Sequence, residues 1–406
     1  MDSASRHEDV RDVVGAVLAG RPAPFVPVAQ VYECLGPLES YHKRLRWQAW
    51  SRRLEEAGAE ALAVGHEDCL AVELEVWTKI LEGPYPPPTW LGLPTMATQE
   101  EVAGAAVVRR GGELFWVTAE GRERWLPPSL AAEHEALAAG ANNPYAAARW
   151  EGADLRDLEG EQPAGPLPDP RALAGSSRYA LARELAARYG EGLAYYSSCP
   201  SPYWSLELGF QQRMRAMVEQ PAALHRLLEQ RVEAPLPHLE AERALGVQIA
   251  FVEECMASAD LISPQMYSEF SFPYTKRLLD RLAAMGFATV LYFSGNLMPL
   301  LPRLAELPFT ALSCEEDRKG YGIDLAQVRC ALGPDRVLFG NLDASFVERA
   351  ADSELLAAVE RQIEVAGPRR FLVSAGSPLT PDTSLARVRF FVESTRRLAG
   401  LLPAGA

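Results

Sequence analysis

The chain has 406 residues, of which 48% are hydrophobic and 23% are charged, so it is long enough and apolar enough for one large domain or two smaller ones. Its net charge of −14 argues against nucleic acid or an anionic membrane surface as the main partner, because either would require a basic face. No apolar run reaches the roughly 18 to 20 residues that span a bilayer, and the polar start MDSASRHEDVRD is unlike a secretory signal, so the sequence predicts a cytoplasmic protein.

Eight short apolar segments alternate along the chain with stretches whose apolar residues recur every three or four positions. This alternation is typical of parallel strands separated by helices. It predicts an α/β fold, a (β/α)8 TIM-type barrel, in a single domain of residues 1–406. A doubly wound open sheet is the alternative, but the glycine-rich loop that usually follows its first strand is not visible. The predicted strands are residues 24–31, 60–67, 192–198, 247–254, 288–295, 310–316, 336–342 and 370–376.

Residues 84–170 do not follow this alternation. They are rich in proline and glycine and include AAVVRRGGELFWVTAEG, which predicts a hairpin that turns at Gly111 and Gly112. We interpret the segment as an insertion between the second and third strands. At the carboxyl end of a barrel strand such an insertion would lie over the mouth of the barrel as a lid. A surface ornament or a dimer arm, and with it a homodimer, stays open as an alternative.

Three predicted strands end in small polar residues and a glycine: SGN at 294–296, GNLD at 340–343 and SAGS at 374–377. A glycine there lets a strand stop, turn and present its backbone to a ligand. Because the carboxyl ends of barrel strands gather at one face, we expect the three endings to line one small-molecule pocket.

The motifs of the C-terminal half resemble one known group of proteins. They are LISPQMYSEFSFPYTKRLLD (261–280), FSGN (293–296), VLFGNLDAS (337–345) and FLVSAGSPLTPDTS (371–384), and their order is similar to that of the uroporphyrinogen decarboxylase superfamily. The resemblance is specific from about residue 246 to 400 and weaker before it. The superfamily includes zinc-dependent, corrinoid-linked methyltransferases. Its fold, a (β/α)8 barrel, agrees with the count of strands.

Asp68, in AVGHEDCLAVELE, stands where the decarboxylases of this superfamily carry the aspartate that binds the pyrrole nitrogens of the substrate. The resemblance implies a catalytic carboxylate that stabilises developing positive charge before CO2 is lost. A solvated aspartate at a strand end is the alternative. The same decarboxylases bind substrate carboxylates through arginines just after the first strand, but this chain has no arginine between Arg21 and Arg44. Uroporphyrinogen itself is therefore not the expected substrate.

The methyltransferases hold zinc through a His-x-Cys pair at the end of the fifth strand and a cysteine at the end of the eighth. The corresponding residues here are Tyr292, Ser294 and Ser377. Neutral hydroxyls are poor zinc ligands, so we expect no metal at these positions. The decarboxylases carry a histidine at the position of Ser377. This chain therefore lacks a residue that the decarboxylases use as well as the zinc ligands of the methyltransferases.

Carboxylates at two more strand ends are candidates for acid–base chemistry. Glu254 ends the fourth strand and Glu316 ends the sixth, where mutual repulsion of converging carboxylates would raise one pKa. His66, beside Asp68, is the best imidazole candidate. The alternative is that these groups face solvent or cap helices, and a metal site of another kind at the two acidic ends also stays open. The predicted substrate contacts are Tyr196, Tyr292, Ser294, Asn296, Asn341 and Ser377.

We therefore expect a cofactor-independent lyase that decarboxylates a carboxylated small molecule. Asp68 would stabilise charge, while Glu254, Glu316 or His66 would move protons. One alternative is a methyltransferase that uses cobalamin and zinc and works with a corrinoid protein. Another is a barrel that binds a ligand without catalysis. The sequence does not distinguish the substrates of these three.

Overall fold

The computed structural model contains two sheets joined by helices. One sheet is parallel and has seven strands, and the other is antiparallel and has four. Within the described part of the chain, no helix is long and apolar enough to cross a membrane. The structure describes residues 12–24, 26–29, 35–86, 90–138, 167–189, 194–206, 208–317 and 320–401.

The parallel sheet has the strand order β11-β10-β9-β8-β7-β6-β2, and the antiparallel sheet has the order β1-β3-β4-β5. A parallel bridge between Val28 and Val373 places residues 26–29 beside β11. The strands in chain order are β1 (Ala61–Ala63), β2 (Leu91–Gly92), β3 (Ala106–Arg110), β4 (Glu113–Val117), β5 (Glu123–Leu126), β6 (Tyr195–Pro200), β7 (Ile249–Glu254), β8 (Ala288–Phe293), β9 (Ala311–Cys314), β10 (Val337–Phe339) and β11 (Phe371–Leu372).

Side chains of the parallel strands alternate between two cores, as the pleat of a strand requires. On β7, Phe251 belongs to an inner core, while its neighbour Val252 belongs to the large core that includes the surrounding helices. The same alternation separates Val290 from Leu291 on β8. The sheet is therefore buried on both faces, which explains its nearly continuous apolar runs.

The parallel sheet is strongly curled. Trp90 precedes β2 and Phe339 ends β10, and these two strands are five positions apart in the sheet order. In a flat sheet five spacings would separate them by about 24 Å. The centroids of the two rings lie 5.7 Å apart in the structure, so the sheet bends until side chains from its opposite sides meet. Val14 and Val17 of the helical residues 12–18 join the same inner core.

The prediction that residues 60–67 form the second barrel strand is wrong. Ala61–Ala63 pairs antiparallel with β3, outside the parallel sheet, and Ala61 and Ala63 are exposed. The second parallel strand is instead β2, which pairs with β6 and lies inside the segment predicted as an insertion. The structure therefore does not confirm the insertion in its predicted bounds of 84–170. Residues 139–166 of that segment lie outside the described residues.

The hairpin predicted at Gly111 and Gly112 is confirmed. Strands β3 and β4 pair antiparallel on either side of these glycines, which have φ angles of 58° and 86°. Two central residues with positive φ are what a tight two-residue hairpin turn requires, and glycine adopts them without strain.

The helices surround the parallel sheet and pack against its outer face. One long helical region begins at Pro264, where Ser263 accepts a hydrogen bond from the backbone N–H of Met266, and it contains a π-helical turn at Tyr267–Ser271. The named α-helices are Leu35–Glu56, His66–Leu81, Gln99–Val102, Leu130–Ala138, Pro170–Gly175, Ala180–Tyr189, Phe210–Glu219, Pro221–Glu233, Leu236–Ala244, Pro264–Met266, Phe272–Ala284, Leu301–Leu304, Leu325–Leu332, Ala344–Arg349, Asp352–Ala366 and Leu385–Leu401.

Candidate active site

Two glutamate pairs stand at the carboxyl ends of β7 and β9, on either side of β8. The alternation of side chains along each strand places one member of each pair on the inner face of the curled sheet. Glu253 follows Phe251 on the inner face, so Glu254 points outward. By the same alternation Glu315 shares the inner face with Ala311, while Glu316 follows Cys314 of the outer core. The structure therefore places Glu253 and Glu315 at the mouth of the curled sheet, next to the two acids predicted from the sequence.

Glu315 organises the mouth. Its Oε2 atom accepts hydrogen bonds from the backbone N–H of Gly295 at 2.7 Å, the hydroxyl of Ser294 at 3.2 Å and the phenol of Tyr321 at 3.3 Å. Gly295 has a φ of 88°, and a side chain there would collide with Ser258, so only glycine can present this N–H to the carboxylate. The strand ending at 294–296 is thus shaped around Glu315.

Ser377 and Tyr292 join the last strand ending to the same mouth. Ser377 donates a hydrogen bond to Glu316 Oε1 at 2.7 Å, and Tyr292 donates one to the carbonyl oxygen of Gly376 at 3.3 Å. A Cβ on Gly376 would lie 2.1 Å from the backbone nitrogen of Glu316. This close approach explains the glycine of SAGS and brings the endings of β8, β9 and β11 together.

Glu254 lies in a buried polar cluster on the outer side of the sheet. Its Oε2 accepts hydrogen bonds from Ser201 at 2.6 Å and Ser271 at 2.9 Å, and its Oε1 accepts one from the backbone N–H of Met256 at 3.2 Å. Burial raises its pKa, although these hydrogen bonds oppose the shift. The arrangement joins β7 to its neighbouring loop and helix.

The two asparagines at the strand endings make hydrogen bonds within the protein. Asn296 accepts a hydrogen bond from the backbone N–H of Met298 at 3.2 Å, and its own N–H donates to Asp260 at 2.7 Å. Asn341 accepts one from the side chain of Gln362 at 3.0 Å. Both therefore shape the loops that follow β8 and β10.

His66 and Asp68 stand at the start of the helix His66–Leu81. Asp68 accepts a hydrogen bond from the N–H of Gly65 at 2.9 Å, and His66 Nε2 lies 3.1 Å from the carbonyl oxygen of Ser177. Asp68 follows a strand of the antiparallel sheet, whereas Ser294 and Ser377 follow strands of the parallel sheet. Neither His66 nor Asp68 lines the large cavity described next.

A cavity of about 830 Å³ lies between the helices Leu35–Glu56 and His66–Leu81, the end of β2, and the hairpin strands β4 and β5. Tyr196 of β6 and Trp90 connect it to the inner core of the parallel sheet. The cavity is lined by Leu38, Glu39, His42, Arg46, Cys69, Glu73, Trp77, Trp90, Leu91, Gly92, Pro94, Thr95, Met96, Ala97, Glu101, Val102, Trp116, Thr118, Arg122, Glu123, Arg124, Leu181 and Tyr196.

Three arginines line this cavity, although the sequence has none in the loop after the first predicted strand. Arg46 comes from the helix Leu35–Glu56, and Arg122 and Arg124 come from the exposed edge of the antiparallel sheet. Glu123 forms an ion pair at 2.7 Å with Arg110, which is outside the lining. Guanidinium groups bind carboxylates well, so this wall suits an acidic ligand.

The helical wall carries a histidine–glutamate pair. His42 Nε2 lies 2.8 Å from Glu73 Oε2, and Arg46 lies 3.2 Å from the other oxygen of the same carboxylate. Burial opposes ionisation of Glu73, but the hydrogen bond and charge of His42 and the charge of Arg46 outweigh it and lower its pKa. The sequence interpretation missed this pair. One feature of the sequence could have indicated it. His42 and Arg46 are four residues apart, as are Glu73 and Trp77, so each of these two pairs lies on one face of its helix.

Aromatic side chains form the rest of the wall. The indole nitrogen of Trp90 is buried and has no hydrogen-bond partner in the described part of the chain. Tyr196 lies 5.7 Å from Phe251, which lies 6.2 Å from Tyr292 between ring centroids, so a row of rings runs from the cavity to the mouth. Burial, followed by the charge of Glu253, raises the pKa of Tyr196 to about 12.

The residues at the expected zinc positions do not fit that metal. The hydroxyls of Tyr292, Ser294 and Ser377 each donate a hydrogen bond to a protein oxygen, and none of these side chains offers a thiolate or an imidazole. Among the described residues, no group of three or more histidine, cysteine or acidic side chains is placed to hold a metal ion.

Comparison with known proteins shows which family part of this chain resembles. The family model for uroporphyrinogen decarboxylase (URO-D) matches residues 206–398. The chain is 28% identical over 185 residues to the uroporphyrinogen decarboxylase of Myxococcus xanthus, which covers 45% of this chain and 50% of that protein. It is 25% identical over 256 residues to that of Gloeobacter violaceus, covering 60% and 70% of the two chains. These matches support this chain as a divergent member of the uroporphyrinogen decarboxylase superfamily.

A solved structure has the same fold over nearly the whole chain. The methyltransferase from Methanosarcina mazei superposes with a TM-score of 0.56 at 18% identity and covers 96% of this chain and 98% of its own. By sequence, the chain spans about half the length of the first curated relatives it matches. The curated relatives are named uroporphyrinogen decarboxylases and the solved structure is named a methyltransferase, so the similar proteins have two different chemistries.

Proposed function

We propose that this member of the superfamily is a lyase that removes CO2 from a carboxylated small molecule other than uroporphyrinogen. The observation that carries the proposal is the 830 Å³ cavity, in which arginines, a histidine–glutamate pair and the partly buried phenol of Tyr196 face one space at the end of β2 and the start of β6. Cavities of about 300 to 1,000 Å³ are typical of small-molecule sites. The proposal also takes residues 26–29 as the eighth strand, which would complete a (β/α)8 barrel beside β11.

The substrate carboxylate would bind to Arg122 and Arg124 on the hairpin wall. Arg122 directly precedes β5 and Arg124 lies on it, so this edge of the antiparallel sheet would act as a lid, because the bound acid would hold it against the helices. Trp90 would donate its indole N–H to an acceptor on the ligand. The flat faces of Trp77 and Trp116 favour an aromatic or conjugated acid, since ring stacking adds to the apolar contact.

Decarboxylation breaks the bond between the carboxyl carbon and its neighbour and leaves the electron pair on the neighbouring carbon. A conjugated substrate would delocalise this pair, and a proton then takes the place of CO2. Tyr196, whose phenol stays protonated at neutral pH, would donate a hydrogen bond to the developing negative charge. This chemistry uses only the side chains of the cavity.

A screen for CO2 release tests the proposal. The purified protein is incubated with aromatic, heteroaromatic and aliphatic carboxylic acids, and CO2 is measured by a coupled assay. We expect release from at least one conjugated acid and a loss of about 100-fold in kcat/KM in the Arg122→Ala/Arg124→Ala variant. The matched control is Arg397→Ala, which removes an exposed arginine of the helix Leu385–Leu401. An inactive wild type, or equal activity in both variants, contradicts the proposal.

A further inference from the structure

We propose that His42 is the proton-transfer residue of the cavity and that Glu73 positions it. The inference rests on the proposed function and adds a catalytic residue to it. Neither side chain lies on a strand of the parallel sheet; both come from the helices that form one wall of the cavity.

The pair defines which ring nitrogen of His42 carries a proton. Glu73 is mostly buried, with 14% of its side chain exposed, and its carboxylate lies between His42 and Arg46. Because its pKa is lowered, Glu73 is ionised at neutral pH and can only accept hydrogen bonds. His42 Nε2 must therefore donate the 2.8 Å hydrogen bond. In the neutral imidazole this leaves the lone pair on Nδ1.

Nδ1 is the nitrogen that a ligand can reach. Within the described part of the chain no hydrogen bond to Nδ1 is found, and 20% of the side chain of His42 is exposed in the wall of the cavity. Trp77 packs against the imidazole at a centroid distance of 5.4 Å and limits its rotation. An imidazole held at one nitrogen by a carboxylate and open at the other has the arrangement of a general acid–base catalyst.

The nearby thiol does not compete for this role. Cys69 lines the same wall, but burial raises its pKa to about 11 in spite of the charge of Arg46, so it is protonated at neutral pH. The chemistry of this wall is therefore proton transfer, without a thiolate nucleophile. The charged and titratable groups of the surrounding cavity walls are Glu39, Arg46, Cys69, Glu73, Glu101, Arg122, Glu123 and Arg124.

The step balances without another reactant. As CO2 leaves, the electron pair of the broken carbon–carbon bond stays on the substrate carbon. The imidazolium form of His42 transfers its Nδ1 proton to this carbon, so that a C–H bond replaces the C–C bond and the ring becomes neutral. Glu73 keeps its hydrogen bond to Nε2–H throughout, and solvent returns a proton to Nδ1 before the next turnover.

Kinetics of three variants test the role. With an acid from the CO2 screen, we expect His42→Gln to lower kcat by about 100-fold or more with little change in KM, as for loss of a general acid. Glu73→Gln should lower kcat less and change the pH profile, because the ring loses its fixed orientation. The matched control is His134→Gln, which removes an exposed histidine of the helix Leu130–Ala138. A wild-type kcat in His42→Gln overturns the inference and leaves the proposed function intact.

A second measurement decides the inference if no acid releases CO2. ¹⁵N NMR of histidine-labelled protein at neutral pH should show the Nε2–H tautomer for His42 in the wild type and a mixture in Glu73→Gln. Saturating benzoate, used as the carboxylate probe, should shift the Nδ1 resonance of His42 and leave that of His134 unchanged. An Nδ1–H tautomer, or no response of His42 to benzoate, overturns the proposal.

Discussion

The hydroxyl of Ser294 donates a hydrogen bond to Glu315 at 3.2 Å, at the carboxyl end of the parallel sheet. Its counterpart at the last strand, Ser377, donates to the next residue along, Glu316, at 2.7 Å. Two consecutive glutamates thus connect the fifth and last predicted strand endings. Each glutamate joins these endings by accepting a hydrogen bond from a serine hydroxyl.

The first prediction concerns zinc. Because the mouth presents hydroxyls at 292, 294 and 377, we expect well below one zinc per chain in protein expressed with added zinc and then dialysed. Substituting all three positions, Tyr292→His, Ser294→Cys and Ser377→Cys, should give stoichiometric zinc if the endings converge. Elemental analysis measures both proteins. One zinc per wild-type chain would contradict the description of the mouth.

The second prediction concerns Gly376. Its missing side chain leaves room for the backbone of Glu316, so Gly376→Ala should lower the free energy of unfolding by about 1 to 3 kcal/mol through overpacking. Gly15→Ala is the matched control, since Gly15 is exposed in the helical residues 12–18 and a Cβ there meets nothing within 4 Å. The control should keep or gain up to about 1 kcal/mol. Urea denaturation measures both, and a neutral Gly376→Ala variant would show that the strand endings approach less closely.

The third prediction concerns the buried arginine of the helix Phe210–Glu219. Arg213 donates hydrogen bonds to the carbonyl oxygens of Tyr203, Leu206 and Leu208 at 2.6, 2.9 and 3.2 Å. Arg213→Met leaves these buried acceptors without their donor and should cost about 3 to 5 kcal/mol of unfolding free energy.

The control for Arg213 lies two residues along the same helix. Arg215 is exposed and forms an ion pair with Glu219, so Arg215→Met should change stability by less than about 1 kcal/mol. Thermal denaturation of the two variants compares them directly. Equal melting temperatures would mean that Arg213 does not hold the loop after β6.

The fourth prediction concerns pH. Burial raises the pKa of Glu254, so the folded chain holds this proton more tightly than the unfolded chain. Its contribution to stability is fully present below the ordinary carboxyl pKa of about 4.3 and is lost as the pH rises through the raised value. Glu254→Gln removes the titration, so the stability of the wild type should fall relative to this variant as the pH rises above the ordinary carboxyl value of about 4.3. Urea titrations across this range measure the difference.

Its control is Glu364→Gln, which changes an exposed residue of the helix Asp352–Ala366. The difference in stability between this variant and the wild type should not change with pH. If the Glu254→Gln and wild-type curves also run parallel, the carboxylate of Glu254 does not titrate in this range.

Most parallel strands were predictable because local pattern and environment agree. Strands β7 to β11 are buried on both faces, and each lies within a continuous apolar run bounded by polar or glycine residues. The hairpin at Gly111 and Gly112 was predictable for the same local reason, since its turn demands glycine.

The second barrel strand was not predictable from pattern. EALAVGHE has the apolar content of a strand, but its partner is β3, some 45 residues along the chain. That pairing depends on long-range contacts and not on the local sequence pattern. The true strand is two residues long within a proline-rich stretch and gives almost no periodic signal. Asp68 was assigned to the mouth because the wrong strand preceded it.

The residues of the candidate site were likewise predictable only in part. The strand endings at 294–296 and 374–377 approach each other, because parallel strands bring their carboxyl ends to one edge. Side chains of a strand point to alternate faces, so Phe251 and Glu253 of β7 lie on the same face. This alternation could have identified Glu253, instead of Glu254, as the glutamate on the inner face. The facing of His42 and Glu73 depends on how two helices pack, which the sequence alone does not determine.

A crystal structure of the protein with an unreactive analogue of the acid substrate found in the CO2 screen tests the central claim most directly. We predict density for the acid in the 830 Å³ cavity, with its polar groups at Arg122 or Arg124 and its reacting carbon within hydrogen-bond distance of His42 Nδ1. Density for the acid outside this cavity, with the cavity filled by water, would contradict the account.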